Sequence, residues 1–258
     1  MTCENFCRLL SDGEILPAAA HEHLATCEGC RAMDASLAEF PVDVPVLNNF
    51  AARMTENLTP VRPLPSNRTL TLLFTALFVA FALSAAMPVG YLGFYALSVF
   101  QKVAIYAGVS ACALFFSATL VPQMIPGAKR SLNPAVVFPI VLVALVLITL
   151  AMFDNFAMDR FVARGIPCLR FGTICAAGSG TLVWLLLRKG FFTSPLLTGI
   201  TAGGLTGLTG FAVLALHCPI QNVIHVVVWH LGVVAVASFA GILIAWLAQK
   251  YARPSRLK

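Results

Sequence analysis

A histidine and two cysteines near the start of the chain have the spacing of metal ligands. The segment His23-Leu-Ala-Thr-Cys27-Glu-Gly-Cys30 reads His-x3-Cys-x2-Cys. On a helix His23 and Cys27 lie four residues apart and share a face, and Gly29 permits a tight turn that returns Cys30 to them. A fourth ligand would complete a set of three cysteines and one histidine, which is a usual form of structural zinc site.

Two upstream cysteines could supply that fourth ligand. Cys3 and Cys7 are one helical turn apart, so either could reach the ion. His21 falls two positions off the shared face, and we expect its side chain to be exposed and not to bind.

Two alternatives to a zinc site involve the same thiols. One is a set of free thiols in a small helical hairpin. The other is an enzyme for thiol–disulfide exchange, which would need an accessible thiol of low pKa. A closed four-ligand site leaves no open position for chemistry. We therefore predict that these residues bind zinc (Zn²⁺) and that the protein is not an enzyme.

Residues 1–40 are predicted to form a small helical head that holds these ligands. A turn at Asp12-Gly13 separates a first helix from a second, which starts at Pro17 and runs to Cys27. A third helix is expected over about 30–40. A unit of this size has a marginal core and usually needs a metal or a disulfide.

Residues 41–69 are predicted to connect the head to the rest of the chain. They carry prolines at positions 41, 45, 60, 63 and 65, with a helical piece over about Val46–Leu58 between them. No secretory signal peptide is visible in the first 40 residues. We therefore expect the head to stay in the cytoplasm, where cysteines remain reduced and a close cysteine–histidine set favours a metal over a disulfide.

The remaining residues are apolar enough to lie in a lipid bilayer. The chain is 59% hydrophobic and 11% charged, against about 25% charged in an average soluble domain. A helix needs about 20 residues to cross the hydrocarbon core. We predict a membrane domain of residues 70–250 and a basic tail of residues 251–258, with spans at roughly 70–91, 101–122, 134–153, 169–187, 195–216 and 223–248.

The predicted fold class is all-α, with a zinc-stapled helical cytoplasmic head followed by a six-helix transmembrane bundle. Residues 1–68 hold nine acidic and five basic residues, whereas residues 69–258 hold two acidic and twelve basic residues. With the head inside, eleven basic residues fall in cytoplasmic segments and four in outside segments, which agrees with the positive-inside rule. We expect both termini in the cytoplasm, and we attribute the basic balance to membrane flanks and not to nucleic-acid binding.

Two further cysteines are predicted to lie at the outer ends of spans. Cys168 lies at the start of the fourth span and Cys218 just after the end of the fifth, and each is beside a proline. On the oxidising side of a membrane such thiols could form a disulfide or bind a soft metal. Chance placement of two small apolar residues is the alternative. Cys112 and Cys175 fall deeper in spans and are predicted to be packing residues.

Glycines recur at helical spacing in the fifth span. Gly199, Gly203 and Gly207 are each four residues apart. Small residues at this spacing let helices pack backbone to backbone in lipid. We expect them to pack inside the monomer, and a homodimer face or a substrate path is the alternative.

The head resembles a zinc-associated anti-sigma domain. The resemblance rests on Cys3, on the run Leu9-Leu-Ser-Asp-Gly-Glu and on the His-x3-Cys-x2-Cys set. It implies that Cys3, and not Cys7, joins His23, Cys27 and Cys30 as a ligand. It also implies that the head clamps an extracytoplasmic-function sigma factor.

Two features depart from the pattern of that domain. The cysteine-to-histidine spacing is shorter than usual, and Pro41 and Pro45 interrupt the helix that normally follows the last ligand. We therefore expect the piece over about Val46–Leu58 to grip the sigma factor.

The membrane part resembles the negative regulator of sigma F family. The similar segments are Val61-Arg-Pro-Leu-Pro65, Pro167-Cys168, Leu216-His217-Cys218-Pro219 and Trp229-His230. Members of that family are six-span anti-sigma factors of bacterial inner membranes, and their paired cysteines are tied to sensing of metal or oxidative stress. The resemblance implies an anti-sigma factor with Cys168 and Cys218 as its sensor.

A transporter or channel with a metal-regulated head is the alternative function. Its spans would usually need several ionisable residues along a transport path. The predicted spans contain almost none, which favours the anti-sigma factor.

Overall fold

The computed structural model describes residues 1–12, 16–39, 65–125, 127–128, 132–157, 160–188, 190, 192 and 194–252. Their regular structure is helical, with no strand among them, so the predicted all-α class is confirmed. The chain divides into two compact units, Met1–Pro63 and Leu64–Lys258. The predicted helix over about Val46–Leu58, most of the proline-rich linker and most of the tail lie outside the described residues. The finer division into four segments stays a prediction.

The head contains three helices, α1 (Cys3–Asp12), α2 (Ala18–Thr26) and α3 (Glu28–Glu39). Pro17 precedes α2, and its fixed φ suits a helix start. Cys27 adopts an extended conformation between α2 and α3, and its N–H donates to the His23 carbonyl at 2.8 Å. This bond closes the last turn of α2, so the second helix ends, and the third begins, slightly earlier than predicted.

The core of the head is small. Among its described residues, the buried side chains are Phe6, Ala20 and Cys30. The guanidinium of Arg31 donates to two carbonyl oxygens near the end of α2, which satisfies groups that a helix end leaves without partners. So few buried side chains give a marginal core, as the sequence predicted.

In the part of the chain that the structure describes, six helices are long and apolar enough to cross a membrane, as predicted. The sixth contains a π-helical stretch, Val226–His230, and a short helix, Leu92–Ala96, precedes the second. We call the six helices the first to sixth spans. Their bounds are Asn67–Val89, Val99–Gln123, Pro134–Met152, Phe161–Leu187, Pro195–His217 and Val223–Tyr251.

The fourth span begins well before its predicted start at residue 169. Its helix starts at Phe161 and has 27 residues, or about 40 Å at 1.5 Å per residue. That length exceeds a hydrocarbon core of about 30 Å, so part of the helix extends beyond it. Arg164 and Arg170, both exposed, interrupt the apolar run in the sequence without ending the helix.

The fifth span lies at the centre of the bundle. In an apolar 18-residue stretch of this span 78% of the residues are buried, against 22–44% in the corresponding stretches of the other five spans. The outer spans carry exposed apolar side chains, and Leu72, Phe100 and Ile140 are each more than half exposed. So much exposed apolar surface suits contact with lipid and not with water.

Glycines let the fifth span contact the sixth backbone to backbone. A Cβ added at Gly207 would lie 2.6 Å from the Cα of Val234. A Cβ at Gly203 would overlap the Ala237 carbonyl. No larger residue fits either position unless one helix moves. The glycines pack inside the chain, as predicted, and allow the close helix contact that membrane bundles use.

Candidate metal and thiol centres

The four predicted ligands of the head lie together. The Sγ atoms of Cys3, Cys27 and Cys30 and a ring nitrogen of His23 are all within 4.8 Å of one another. The Sγ atoms of Cys3 and Cys27 are 3.7 Å apart. A tetrahedral ion with Zn–S bonds of about 2.3 Å holds its sulfur ligands about 3.8 Å apart. The two cysteines therefore have the spacing of ligands on one ion, and we call the four residues the head cluster.

All three helices of the head contribute to this cluster. Cys3 begins α1, His23 lies in the last turns of α2, and Cys30 lies in the first turn of α3. Cys27 is the single residue between α2 and α3. An ion bound here would therefore join the three helices at their ends.

His23 fits a metal ligand at this position. Its Nε2 atom is buried and has no hydrogen-bond partner among the described residues. Its ring packs against Phe6, with centroids 5.9 Å apart. A buried polar atom without a partner costs about 1–3 kcal/mol, a cost that a bound ion would remove. Three thiols and one imidazole form a donor set suited to zinc.

The thiols of Cys27 and Cys30 differ in acidity. The backbone N–H of Cys30 stabilises the Cys27 thiolate and lowers the pKa of Cys27 below its ordinary value. Burial raises the pKa of Cys30 to about 12, and the neighbouring thiols of Cys27 and Cys3 add to the rise. A cation among the three sulfur atoms would favour deprotonation of both thiols.

Cys7 and His21 lie outside the head cluster. Both side chains are exposed, and neither contributes a ligand atom to the group formed by the other four residues. The geometry agrees with the choice of Cys3 over Cys7. Binding of an ion by the cluster stays a prediction.

The two predicted sensor cysteines are also neighbours. Cys168 is in the second turn of the fourth span, and Cys218 directly follows the fifth. Their Sγ atoms lie 3.7 Å apart. Cys168 is partly exposed and Cys218 is buried. The fold thus brings together two thiols that are 50 residues apart in the sequence.

Two histidines that the sequence analysis did not assign as ligands join this pair. Ring nitrogens of His225 and His230 lie within 4.8 Å of both sulfur atoms and of each other. His225 Nε2 is 3.6 Å from Cys218 Sγ. His225 is 4% exposed and His230 is 2% exposed. We call Cys168, Cys218, His225 and His230 the membrane cluster.

The π-helical stretch explains why this histidine pair was missed. On an α-helix, residues five apart such as His225 and His230 point about 140° away from each other. The stretch Val226–His230 is π-helical, and i→i+5 hydrogen bonding widens each turn. Residues five apart can then share a face. The only signal in the sequence was two histidines close behind Cys218.

Hydrogen bonds hold His225 in place. Asn222 Oδ1 accepts the His225 N–H at 3.0 Å. The Asn222 amide group donates to the Ala157 carbonyl and to Asn155 Oδ1. The Asn155 carbonyl in turn accepts the Val223 N–H at 2.9 Å. These bonds tie the segment after the third span to the start of the sixth.

Trp229 holds the π-helical stretch against the fourth span. Its ring packs on Phe161, with centroids 5.1 Å apart. It also fills the space that a Cβ at Gly165 would occupy. Gly165 is therefore a position where the absence of a side chain allows a close approach.

The remaining histidine and cysteines of the bundle have other contacts. His217 precedes Cys218 but lies outside the membrane cluster, with its Nδ1 3.2 Å from the Gly90 carbonyl oxygen. Cys112 and Cys175 are buried in the core of the bundle. That placement agrees with their predicted role in packing.

The membrane part of the chain matches a known family. A family model described as negative regulator of sigma F matches residues 54–251. The chain belongs to this family. No curated protein and no solved structure matches it. A member of the negative regulator of sigma F family is a regulator with a sigma factor as its partner. The matched region contains the whole membrane cluster, whereas the head cluster precedes it.

Proposed function

We propose that the protein is a membrane-bound anti-sigma factor that holds an extracytoplasmic-function sigma factor and releases it on an envelope, metal or oxidative signal. The observation that carries this proposal is the family match over residues 54–251. The head cluster supports it independently, because the donors of a zinc site converge in a segment that resembles an anti-sigma domain.

Zinc is the proposed cofactor of the head. Cys3, His23, Cys27 and Cys30 would hold it, with α1, α2 and α3 joined at the ion. Ligation energy in such small units is largely folding energy. The ion would therefore order the three helices of the head, and it would have a structural role.

The proposed location is the bacterial inner membrane, with the head and both termini in the cytoplasm. The excess of basic residues in the segments on that side supports this orientation. The ends of the fourth and sixth spans support a location in a membrane. Arg188 lies over the Trp184 ring at 5.6 Å, and Lys250 lies over the Trp246 ring at 5.3 Å. Aromatic and basic side chains anchor spans at the membrane–water interface in this way.

Cys168 and Cys218 are proposed to sense the signal on the outer side. Their 3.7 Å separation supports a shared reaction or a shared ligand. The signal must favour one state of the bundle over the other. A ten-fold fall in affinity for the sigma factor requires about 1.4 kcal/mol.

Co-purification of the full chain from its own cells tests the proposal. We expect a small sigma factor to accompany the wild-type protein and the Cys7→Ser variant, but not Cys27→Ser. Recovery of no sigma factor with any of the three would refute the anti-sigma function. Recovery with all three would refute the requirement for the head ion.

A signal assay tests the sensor separately. The Cys168→Ser/Cys218→Ser variant should retain its sigma factor when the cells receive oxidant or cadmium, whereas the wild-type protein releases it. The Cys175→Ser variant is the matched control, because Cys175 lies in the fourth span with Cys168 but its thiol is buried in the core of the bundle. Equal release by the double variant and the wild type would place the sensor elsewhere.

A further inference from the structure

We propose that the membrane cluster is a second metal site, built by Cys168, Cys218, His225 and His230 for a thiophilic divalent cation such as Zn²⁺ or Cd²⁺. Binding of the ion stands on the geometry of the cluster alone. Its use as the signal that frees the sigma factor rests on the proposed function.

The spacing of the donor atoms fits one four-coordinate ion. All four ligand atoms lie within 4.8 Å of one another. The two sulfur atoms are 3.7 Å apart, close to the edge of about 3.8 Å expected for a tetrahedron with metal–sulfur bonds of about 2.3 Å. His225 Nε2 lies 3.6 Å from Cys218 Sγ, so a sulfur–nitrogen edge of similar length is present as well.

His230 gives an independent indication of a missing partner. Its side chain is 2% exposed, and neither ring nitrogen has a hydrogen-bond partner among the described residues. Buried polar groups are nearly always paired, with protein, water or an ion. The ring is instead wedged between His225, at a centroid distance of 5.2 Å, and Phe211, at 6.1 Å. An ion at the centre of the cluster would supply the partner that His230 lacks.

The donor types select the kind of ion. The cluster has two thiols and two imidazoles, and no carboxylate is among its ligand atoms. Hard cations such as Mg²⁺ and Ca²⁺ prefer oxygen ligands, whereas thiolate and imidazole suit zinc and its softer relatives. A divalent ion would displace one proton from each thiol. Two thiolates and one divalent cation leave no net charge, which suits a buried site at the end of a membrane bundle.

One ligand of the site reaches the surface of the bundle. Cys168 is partly exposed, while the other three ligands are buried. A cation could therefore meet the Cys168 thiol first and then draw in the buried donors. Cys218 and His230 also border a narrow cavity among the second, third and fifth spans.

An ion at this position would join three spans. Cys168 belongs to the fourth span, Cys218 follows the fifth, and His225 and His230 belong to the sixth. Binding therefore favours the arrangement of these spans that keeps the four donors together. A ligand that binds one arrangement better than another shifts the equilibrium between them. In this way the ion would change the affinity of the protein for the sigma factor.

The first experiment measures metal binding by the full chain in detergent micelles under reducing, anaerobic conditions. The head ligands are replaced by serine (Cys27→Ser/Cys30→Ser) so that only the membrane cluster remains. Titration with Cd²⁺ should show one site per chain with thiolate-to-metal absorption, and Co²⁺ should show the visible bands of a tetrahedral site. In this background His230→Ala should lower the Cd²⁺ affinity at least about ten-fold.

Three controls separate ligation from misfolding. His217→Ala and Cys175→Ser should bind Cd²⁺ as the parent does, because both residues are neighbours of the cluster in sequence but not its members. His230→Cys should retain Cd²⁺ and gain thiolate-to-metal absorption, since a third sulfur replaces the nitrogen donor. The proposal is overturned if the parent binds Cd²⁺ and Co²⁺ no better than Cys168→Ser/Cys218→Ser, or if His230→Ala binds as tightly as the parent.

The second experiment links the ion to the sigma factor in the chain with an intact head. If Cd²⁺ releases the sigma factor from wild type and not from His230→Ala, the cluster is the signal site. If Cd²⁺ binds the cluster but no sigma factor is ever held, the proposed function fails and the metal site stands. If a sigma factor is held and oxidant releases it while the cluster binds no metal, the proposed function stands and this inference fails.

Discussion

The two clusters use similar donors in different surroundings. In the head cluster Cys3 is exposed and only Cys30 is buried, whereas the membrane cluster has three buried ligands. A water-exposed site can be ordered by an ion without a large desolvation cost. A site buried in apolar surroundings must leave no net charge, because an unpaired charge there is expensive. The proposed ions would therefore differ: one in the head could carry a net charge beside water, whereas one in the membrane cluster would have to be neutralised by its own ligands.

At the scale of single residues, the head gives a prediction with a matched control. Cys27→Ser should remove the zinc held by the head, because this thiol lies 3.7 Å from the Cys3 sulfur and its pKa is lowered toward the thiolate form. Cys7→Ser should keep that zinc, because Cys7 lies outside the cluster. Metal content of the purified full chain, measured by atomic emission, checks both. Equal zinc loss in the two variants would contradict the ligand set.

A second residue-scale prediction concerns the core of the head. Phe6 is fully buried and packs on the His23 ring. Removing a buried phenylalanine side chain typically costs about 3–5 kcal/mol, which exceeds what a core of this size can absorb. Phe6→Ala should therefore weaken zinc binding by the head although no ligand is changed. Competition with a coloured zinc chelator measures the affinity, and an unchanged affinity would show that the ion alone organises the head.

At the scale of elements, close contacts between helices fix which side of each of the last three spans faces the others. The glycines of the fifth span pack on the backbone of the sixth span. Trp229, in the sixth span, fills the space next to Gly165 in the fourth span. These close approaches set the relative rotation of the last three spans. That rotation in turn places the donors of the membrane cluster, which come from the same three helices.

The glycine contact predicts different outcomes for one substitution at two positions. Gly207→Ala should destabilise the bundle by about 1–3 kcal/mol, because the new methyl would lie 2.6 Å from backbone atoms of the sixth span. Gly180→Ala should be tolerated, since the nearest atom would be at an ordinary 3.8 Å. Thermal unfolding of both variants in the same detergent provides the comparison. Equal thermal stability of the two variants would contradict the prediction, because it would mean that the fifth and sixth spans can move apart without destabilising the bundle.

Gly165 predicts a local movement. Gly165→Ala should displace the Trp229 ring, because the added methyl would occupy the position of the indole. The fluorescence of Trp229 reports this in a Trp184→Phe/Trp246→Phe background, where both replaced side chains are exposed. We expect emission at longer wavelength as the indole meets a more polar environment. Gly180→Ala should leave the emission unchanged, and a shift there would point to a general loosening of the bundle.

At the scale of the whole molecule, charge and hydropathy assign the two compact units different surroundings. The unit Leu64–Lys258 contains the six candidate spans, and none was found among the described residues of the unit Met1–Pro63. Acidic residues are concentrated in the first 68 residues and basic residues in the remainder. The basic residues that flank spans set the orientation, and the orientation decides which cluster meets the reducing cytoplasm.

Fusion of a topology reporter tests that orientation. Alkaline phosphatase is active only outside the cytoplasm. It should be active when fused after Ala157, between the third and fourth spans, and inactive when fused after Ala252, beyond the sixth. A fluorescent protein that folds only in the cytoplasm should give the reverse pattern. Active phosphatase at both positions would contradict an even number of crossings between the head and the tail.

Much of the fold was determined by local sequence patterns. Runs of about 20 apolar residues can only be helices in lipid, because each backbone group must bond within its own segment. The six spans were therefore predictable one at a time. The closeness of His23, Cys27 and Cys30 was also a local matter, since they lie within two helical turns and a short turn. The choice of Cys3 over Cys7 came from the resemblance to an anti-sigma domain, and binding of an ion by the four residues stays a prediction.

Only the tertiary structure decided how the spans combine. The sequence suggested Cys168 and Cys218 as a pair, and the fold places their sulfur atoms 3.7 Å apart. The central position of the fifth span and the positions of His225 and His230 beside that pair depend on contacts between helices distant in the sequence. The π-helical stretch also changes which residues of the sixth span share a face, and the local pattern predicts an ordinary α-helix there. Hydropathy determines that a segment crosses the membrane, whereas helix packing determines which side chains meet.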